Sequence, residues 1–266
     1  DVKPSSLELE VLETSALEDI TGVSQVIEAC RTLGVMFALD DFGTGYSSLT
    51  YLKRLPVAQL KIDQSFVRDM LDDPDDLSIL IGVLDMSASF HRQVIAEGVE
   101  TAAHGQMLLR LGCDLAQGYG IARPMAAQAM PDWVANWHGD PLWQGVPVVS
   151  RQLMPLLFAA TEHRAWVLAL ENHLNGQREG TALLDRHRCN VGQWIDGGGL
   201  LGLADQHAAQ QVLALHQQMH VLGSHLCELK ARHQAAAALQ QMPQVKALRD
   251  ALLAQLERLV SARSQT

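Results

Sequence analysis

The chain is poor in cysteine, poor in positive charge, and free of any long apolar run. Its four cysteines (Cys30, Cys113, Cys189 and Cys227) are irregularly spaced along 266 residues. That pattern excludes a disulfide framework and leads us to expect a cytoplasmic protein. No uninterrupted apolar stretch of ~18 residues occurs, so no membrane span is expected. A basic start followed by an apolar stretch is also absent, which argues against a secretory signal. Basic residues number 20 against 30 acidic ones, for a net charge of −10. The deficit is concentrated in residues 1–140, with 9 Lys/Arg against 21 Asp/Glu; residues 141–266 carry 11 against 9. Such an acidic first half excludes a general nucleic-acid surface, because polyanion binding needs cations to displace counterions. A phosphate substrate remains accessible to it where carboxylates hold divalent metals. With 48% apolar residues, the chain can build a substantial core, which excludes intrinsic disorder.

The charge split suggests two domains, and the hydrophobic pattern agrees. Up to about residue 130, short apolar runs (7–12, 36–42, 59–63, 94–99 and 115–119) alternate with segments of helical periodicity (16–33, 47–55, 77–90 and 101–111). This βαβα rhythm reads as a parallel sheet with helical crossovers, an α/β partial TIM-type (β/α) barrel over residues 1–138. Residues 139–150, with His138-Gly139-Asp140-Pro141 and Gly145-Val146-Pro147, read as a linker. An all-α helical bundle is expected over 151–266. One seam runs through Leu156, His163, Val167 and Leu170, a second through Val212, Met219 and Leu226, and a third through Val245, Leu252 and Leu259.

The expected strands end in polar residues, at the edge where (β/α) barrels build active sites. Asp40-Asp41 before Phe42-Gly43-Thr44-Gly45-Tyr46 could touch two cations, one carboxylate bridging, with glycines turning the loop over a ligand. The same string also reads as a solvated loop. Lys61-Ile62-Asp63 reads equally as an ion pair, and Glu97-Gly98-Val99-Glu100 as a simple turn.

Taken together, these strings resemble the EAL family of cyclic di-GMP phosphodiesterases. The resemblance runs from Leu7-Glu8-Leu9-Glu10-Val11-Leu12-Glu13-Thr14 through the Asp40–Leu49 segment, Lys61-Ile62-Asp63 and Glu97-Gly98-Val99-Glu100. It ends in Gln117-Gly118-Tyr119-Gly120 and Ala122-Arg123-Pro124-Met125. It implies a modified TIM barrel in which Mg²⁺ or Mn²⁺ activates a water that opens cyclic di-GMP to linear pGpG. Glu10 and Asp40 are then expected to bind the first metal, with Asp40 bridging to a second held by Asp41. Lys61 would orient the water or steady the phosphate, and Glu97 would be the general base. Glu100 would anchor the Asp40–Tyr46 loop, a feature linked to dimerisation, while Asp63 and Gln117 would be further polar residues of the substrate site.

The family's namesake Glu-Ala-Leu triplet is absent from these 266 residues, and the first Asn is Asn136, after the last barrel motif. Five strands are countable where a closed barrel has eight. The chain is therefore expected to be the C-terminal part of an EAL domain and inactive alone, the hydrolysis belonging to an intact parent. The alternative is a non-catalytic cyclic di-GMP receptor with a zinc- or redox-sensing dimerisation module.

In the second half, His216 and His220 are four residues apart, so on one helix they share a face and can grip one cation. A solvated helix face also carries such pairs. With His163 and Cys189 they offer three imidazoles and a thiolate, a set suited to Zn²⁺. His163 with Trp166, Cys189-Asn190-Val191-Gly192-Gln193-Trp194 and His216-Gln217-Gln218-Met219-His220 resemble the CZB zinc-binding domain associated with chemoreceptors. This second resemblance implies zinc sensing, possible oxidant sensing through the bound thiolate, and regulation of the first domain. His187 is the reserve ligand.

Overall fold

A computed structural model describes residues 2–44, 49–201, 203 and 205–262. Gly45, Tyr46, Ser47 and Ser48, part of the glycine-containing loop singled out above, lie outside the described residues. The chain divides into two compact units, Asp1–Met70 with Asp75–Val148, and Leu71–Pro74 with Val149–Thr266.

In the first unit β1 (Glu8–Leu12) is followed by helices α1 (Glu13–Glu18) and α2 (Ile20–Thr32), then by β2 (Met36–Phe42) and α3 (Leu49–Arg54). β3 (Gln59–Ile62) leads into α4 (Gln64–Asp69) and α5 (Pro74–Ser89), and β4 (Gln93–Ala96) into α6 (Ala102–Arg110). β5 (Leu115–Ala116) and α7 (Met130–Asn136) complete the unit. All strand pairs are parallel and their spatial order is β1-β2-β3-β4-β5. Parallel neighbours need crossover connections, which the intervening helices supply. A sheet that advances one strand at a time, with no reversal of order, is the pattern of a (β/α) barrel rather than of a doubly wound sheet. Its centre is buried on both faces: Ala38, Leu39, Leu60 and Ile62 are fully covered. Leu9 and Leu12 on β1, by contrast, are 38% and 46% exposed.

The helix expected over 16–33 is two helices, because Asp19 leaves helical geometry and caps α2 by accepting from the Gly22 amide at 2.9 Å. Asp63 does the same for α4, a helix absent from the periodicity reading, by accepting from the Ser65 amide at 2.9 Å. Residues 139–148, expected to link the domains, belong with the first unit. There the Trp143 indole donates to Ala102 O at 2.8 Å, and the ring lies so close to Gly105 that a Cβ there would meet it at 2.5 Å.

The second unit comprises α8 (Met154–Leu174), the short α9 (Asn190–Asp196), α10 (Gln206–Ala231) and α11 (Ala235–Ala262), with α11 against both α10 and α8. The three expected seams are the buried stripes: Leu156, Val167 and Leu170 on α8, Val212, Met219 and Leu226 on α10, and Val245, Leu252 and Leu259 on α11. No helix of the described residues is long and apolar enough to cross a membrane.

Candidate active-site rim and metal centre

Successive side chains on a strand point to opposite faces, so two adjacent aspartates should not share a site. Here they do. Leu39 pairs with Leu60 but Phe42 with Ile62, so β2 spends one residue more than β3 across Asp40-Asp41. This is a β-bulge, and Asp41 sits in it at φ 55, in the left-handed region. The extra residue re-aims Asp41, and carboxylate oxygens of Asp40, Asp41 and Glu97 lie within 4.8 Å of one another.

Lys61, 4% exposed, is the hub of this rim. Its ammonium lies 2.7 Å from Glu10 Oε1, 2.7 Å from Glu97 Oε1 and 3.0 Å from Asp40 Oδ1. Burial alone would depress the Lys61 pKa, but the bonds to Glu10, Glu97 and Asp40 outweigh it and raise it. Burial lifts the Glu97 carboxyl above its ordinary value, Lys61 opposes this, and Asp40 and Asp41 add to it. Asp41 is raised by burial and then by the Asp40 and Asp63 charges. Gln117, just beyond β5, donates its amide to Glu97 Oε1. Asp40 Oδ1 is buried, with the Lys61 ammonium 3.0 Å away. Converging carboxylates are hard donors of the kind Mg²⁺ and Mn²⁺ take. Glu10 is outside the three-carboxylate group and reaches it through Lys61.

In the described part of the Asp40–Tyr46 loop, the fully buried Glu13 carboxylate accepts from the Gly43 amide at 3.1 Å. Glu100 is exposed, and its amide donates to His104 Nδ1 at 3.4 Å. Sequence reasoning gave Glu13 no role. The signal was its position three residues beyond Glu10, at the start of the helix that leaves the strand.

In the second unit His163, His216 and His220 are buried (3%, 0% and 4% exposed), with ring nitrogens within 4.8 Å of one another. His163 Nδ1 lies 2.7 Å from Ala159 O, and His220 Nδ1 lies 2.9 Å from Leu184 O. A carbonyl only accepts, so both Nδ1 atoms carry the proton and each Nε2 keeps a lone pair, as in imidazoles that bind a metal through one nitrogen and are held by a carbonyl at the other. His216 Nδ1 is buried without a hydrogen-bond partner among the described residues. Burial depresses all three, His163 to about 4 and His216 to about 3, the latter also through the other two rings. Neutral, converging imidazoles fit Zn²⁺. Cys189 Sγ is 3.2 Å from His216 Nε2 but outside the span the three rings share. It caps α9, accepting from the Gly192 amide at 3.2 Å, and burial pushes its thiol pKa up. His187 is turned to Asp196, with 2.6 Å between Nδ1 and Oδ2.

Residues 1–124 match the family model of the EAL domain, and residues 163–227 that of the chemoreceptor zinc-binding domain. Among curated proteins, the chain is 43% identical over 129 residues to the bifunctional diguanylate cyclase/cyclic di-GMP phosphodiesterase MucR of Pseudomonas aeruginosa, covering 48% of the chain and 19% of that protein. It is 40% identical over 134 residues to the cyclic di-GMP phosphodiesterase NbdA of the same organism, covering 50% of the chain and 17% of that protein. The chain thus spans about a fifth of the length of these relatives. Among solved structures, the PaMucR phosphodiesterase–c-di-GMP complex is 43% identical over 48% of this chain and 52% of that one, with a TM-score of 0.47. The EAL domain of Mycobacterium smegmatis DcpA is 41% identical over 49% and 59%, also at 0.47. Residues 1–124 are thus similar to the EAL domain, and residues 163–227 to the chemoreceptor zinc-binding domain.

Proposed function

We propose that the first unit supplies the metal-binding rim of a cyclic di-GMP phosphodiesterase, and that the second is a zinc-binding module regulating it. The observation that carries the first half is the β2 bulge, which brings Asp40 and Asp41 together beside Glu97. When bound there, Mg²⁺ or Mn²⁺ would neutralise charge developing on the phosphate and lower the pKa of a water. Asp40 and Asp41 would hold these ions, with Glu10 at the edge of the set. Glu97, desolvated and steadied by Gln117, is suited to take a proton from the attacking water. That attack would form a bond from water oxygen to phosphorus and break the phosphorus–O3′ bond, the departing O3′ taking up a proton as the ring opens to pGpG. Lys61 keeps the carboxylates convergent and offers positive charge to the phosphate. Asp63, through its contact with Asp41, would help orient the bulge.

Lacking the Glu-Ala-Leu triplet and any Asn before Asn136, the 266-residue chain offers fewer donors than the reaction needs, and alone it would not hydrolyse cyclic di-GMP. The parent protein would work as a cytoplasmic homodimer. Mn²⁺ binding to this chain, followed by electron paramagnetic resonance, tests the rim: we expect binding that Asp40→Asn weakens at least tenfold. Equal binding by the two proteins would overturn the assignment. In the intact parent, Glu97→Gln should abolish pGpG formation.

For the second unit, the three buried imidazoles carry the reading, with Cys189 as the fourth donor on rearrangement. Protein purified without added zinc should contain one Zn²⁺ per chain, lost in His163→Ala. A stoichiometry near zero would end the zinc reading. Chelating zinc, or Cys189→Ala, should change the hydrolysis rate of the parent; if neither does, the module does not regulate.

A further inference from the structure

One turn beyond His163 on α8 stands Trp166, a 9% exposed residue that no ligand set requires. Its indole N–H donates to Leu183 O at 2.8 Å. The next carbonyl along, Leu184 O, is the one that takes the Nδ1 proton of His220 at 2.9 Å. The indole ring itself lies against the His220 imidazole, with centroids 5.2 Å apart and planes tilted by 50°. Three residues beyond His220, α10 passes the indole at Gly223, where a Cβ would fall 2.4 Å from Trp166 Cη2 and 2.8 Å from Cζ2. Glycine weakens a helix interior, and here its absence of a side chain is what admits the ring. Three features therefore converge on one residue: a hydrogen bond to the segment before α9, a ring contact to a candidate ligand, and room cleared for the indole on the same face of α10.

We infer that Trp166 is a positioning residue of the imidazole cluster. Its N–H pins the Leu183–Leu184 carbonyls, and these hold His220 in the tautomer and orientation that direct Nε2 toward His163 and His216. This inference rests on the zinc reading of that cluster. A tryptophan serving only to fill space would be replaced by phenylalanine with little effect on His220. A positioning tryptophan would not: phenylalanine removes the donor along with part of the ring, and the His220 tautomer reports the lost donor where lost packing alone would leave it unchanged. Removing an outer partner of a metal-bound histidine typically weakens metal binding by about 10–100-fold.

The test uses the full 266-residue chain as wild type, Trp166→Phe and Gly223→Ala. Zinc affinity is measured by competition with a chromophoric chelator, and the His220 tautomer by ¹⁵N resonances of the metal-free protein. Trp166→Phe is expected to keep the helical circular dichroism and one zinc per chain. Its Kd should rise about tenfold or more, with His220 no longer held as the Nδ1–H form. Gly223→Ala, which improves helix propensity but evicts the ring, should weaken zinc in the same direction. A folded Trp166→Phe protein with a Kd within twofold of wild type and an unchanged His220 tautomer would overturn the inference. Should Trp166→Phe not fold, an Nε2-protonated His220 in the metal-free wild type would overturn it equally. A wild type that binds no zinc would instead refute the zinc reading, and the tautomer measurement would still decide the role of Trp166.

Discussion

Replacing His216 by leucine should make the metal-free protein more stable, and increasingly so in acid. His216 is fully buried, its Nδ1 has no hydrogen-bond partner among the described residues, and burial with its two neighbours holds its pKa near 3, from a reference of 6.5. His163 is held at about 4. A base with a depressed native pKa binds protons preferentially in the unfolded chain. The native state is therefore fully favoured above pH 6.5 and loses stability as the pH falls toward 4 for His163 and toward 3 for His216. Between pH 6.5 and 5 the loss is about 1.5 pH units at ~1.36 kcal/mol each, or ~2 kcal/mol per imidazole. Two such groups give ~4 kcal/mol, a large share of a typical domain's 5–15 kcal/mol or so. Leucine at 216 removes one of these penalties and deletes an orphaned polar atom costing ~1–3 kcal/mol. With EDTA present, amide exchange of α8 and α10 reports this unit alone. The variant should exceed wild type by ~1–3 kcal/mol at pH 7, and the gap should widen by ~2 kcal/mol at pH 5. Zinc at about a thousand times its Kd should return ~4 kcal/mol to wild type and nothing to the variant. A gap that stays constant between pH 7 and 5, or a wild type that is the more stable of the two without metal, would refute the reasoning.

Lys61→Met should cost the first unit ~2–4 kcal/mol at pH 7, less than a fully buried pair would because Glu10 is half exposed. Without the ammonium that opposes it, the burial-raised Glu97 carboxyl holds its proton more tightly in the native state than in the unfolded one. The deficit should therefore shrink as pH falls through the raised native value of Glu97, which denaturant titrations at pH 7 and 5 would show. Glu13→Ala leaves the Gly43 amide without its described acceptor and should cost ~1–3 kcal/mol while weakening Mn²⁺ binding; Glu13→Gln keeps an oxygen acceptor and should lose less on both measures. At Asp41, where φ is 55, Asn and Gly should be tolerated and Ala should cost ~1 kcal/mol more, read from urea midpoints; Gly and Ala should both lose Mn²⁺.

The parts of this molecule most legible in the sequence are those written in periodicity. Five apolar runs became five parallel strands, and the seams through Val167, Val212 and Leu252 became the buried faces of the long helices. Periodicity failed where a single side chain overrides it. Asp19 satisfies the free Gly22 amide and splits an apparently continuous helix, and Asp63 starts α4 in a stretch with no helical stripe long enough to see. Residues 139–148 look like a linker because they are rich in Gly and Pro, yet Trp143 finds a carbonyl and a glycine to dock on.

The site divides in the same way, between chemistry that composition announces and geometry that only the backbone determines. Carboxylates at strand ends announce a cation, but alternation would place Asp40 and Asp41 on opposite faces. Their sharing of one side depends on a bulge and a left-handed residue, neither of which has a unique sequence signal. Four candidate zinc ligands announce a centre, yet the three imidazoles gather while Cys189, bonded into the cap of α9, stays beside His216. The distinction has a physical basis. The imidazoles sit on long helices whose buried faces fix them, and backbone carbonyls lock two of their rings. Cys189 sits at the entrance of a seven-residue helix, where its sulfur already has a competing hydrogen bond from Gly192. Moving it into the metal shell must break that bond and convert a thiol whose pKa burial has raised into a thiolate. The free energy of the fourth coordination bond is thus reduced by the cap it displaces. On the zinc reading, Cys189 would consequently be the ligand whose engagement the surrounding fold can tune, and the three histidines the part of the centre that it cannot.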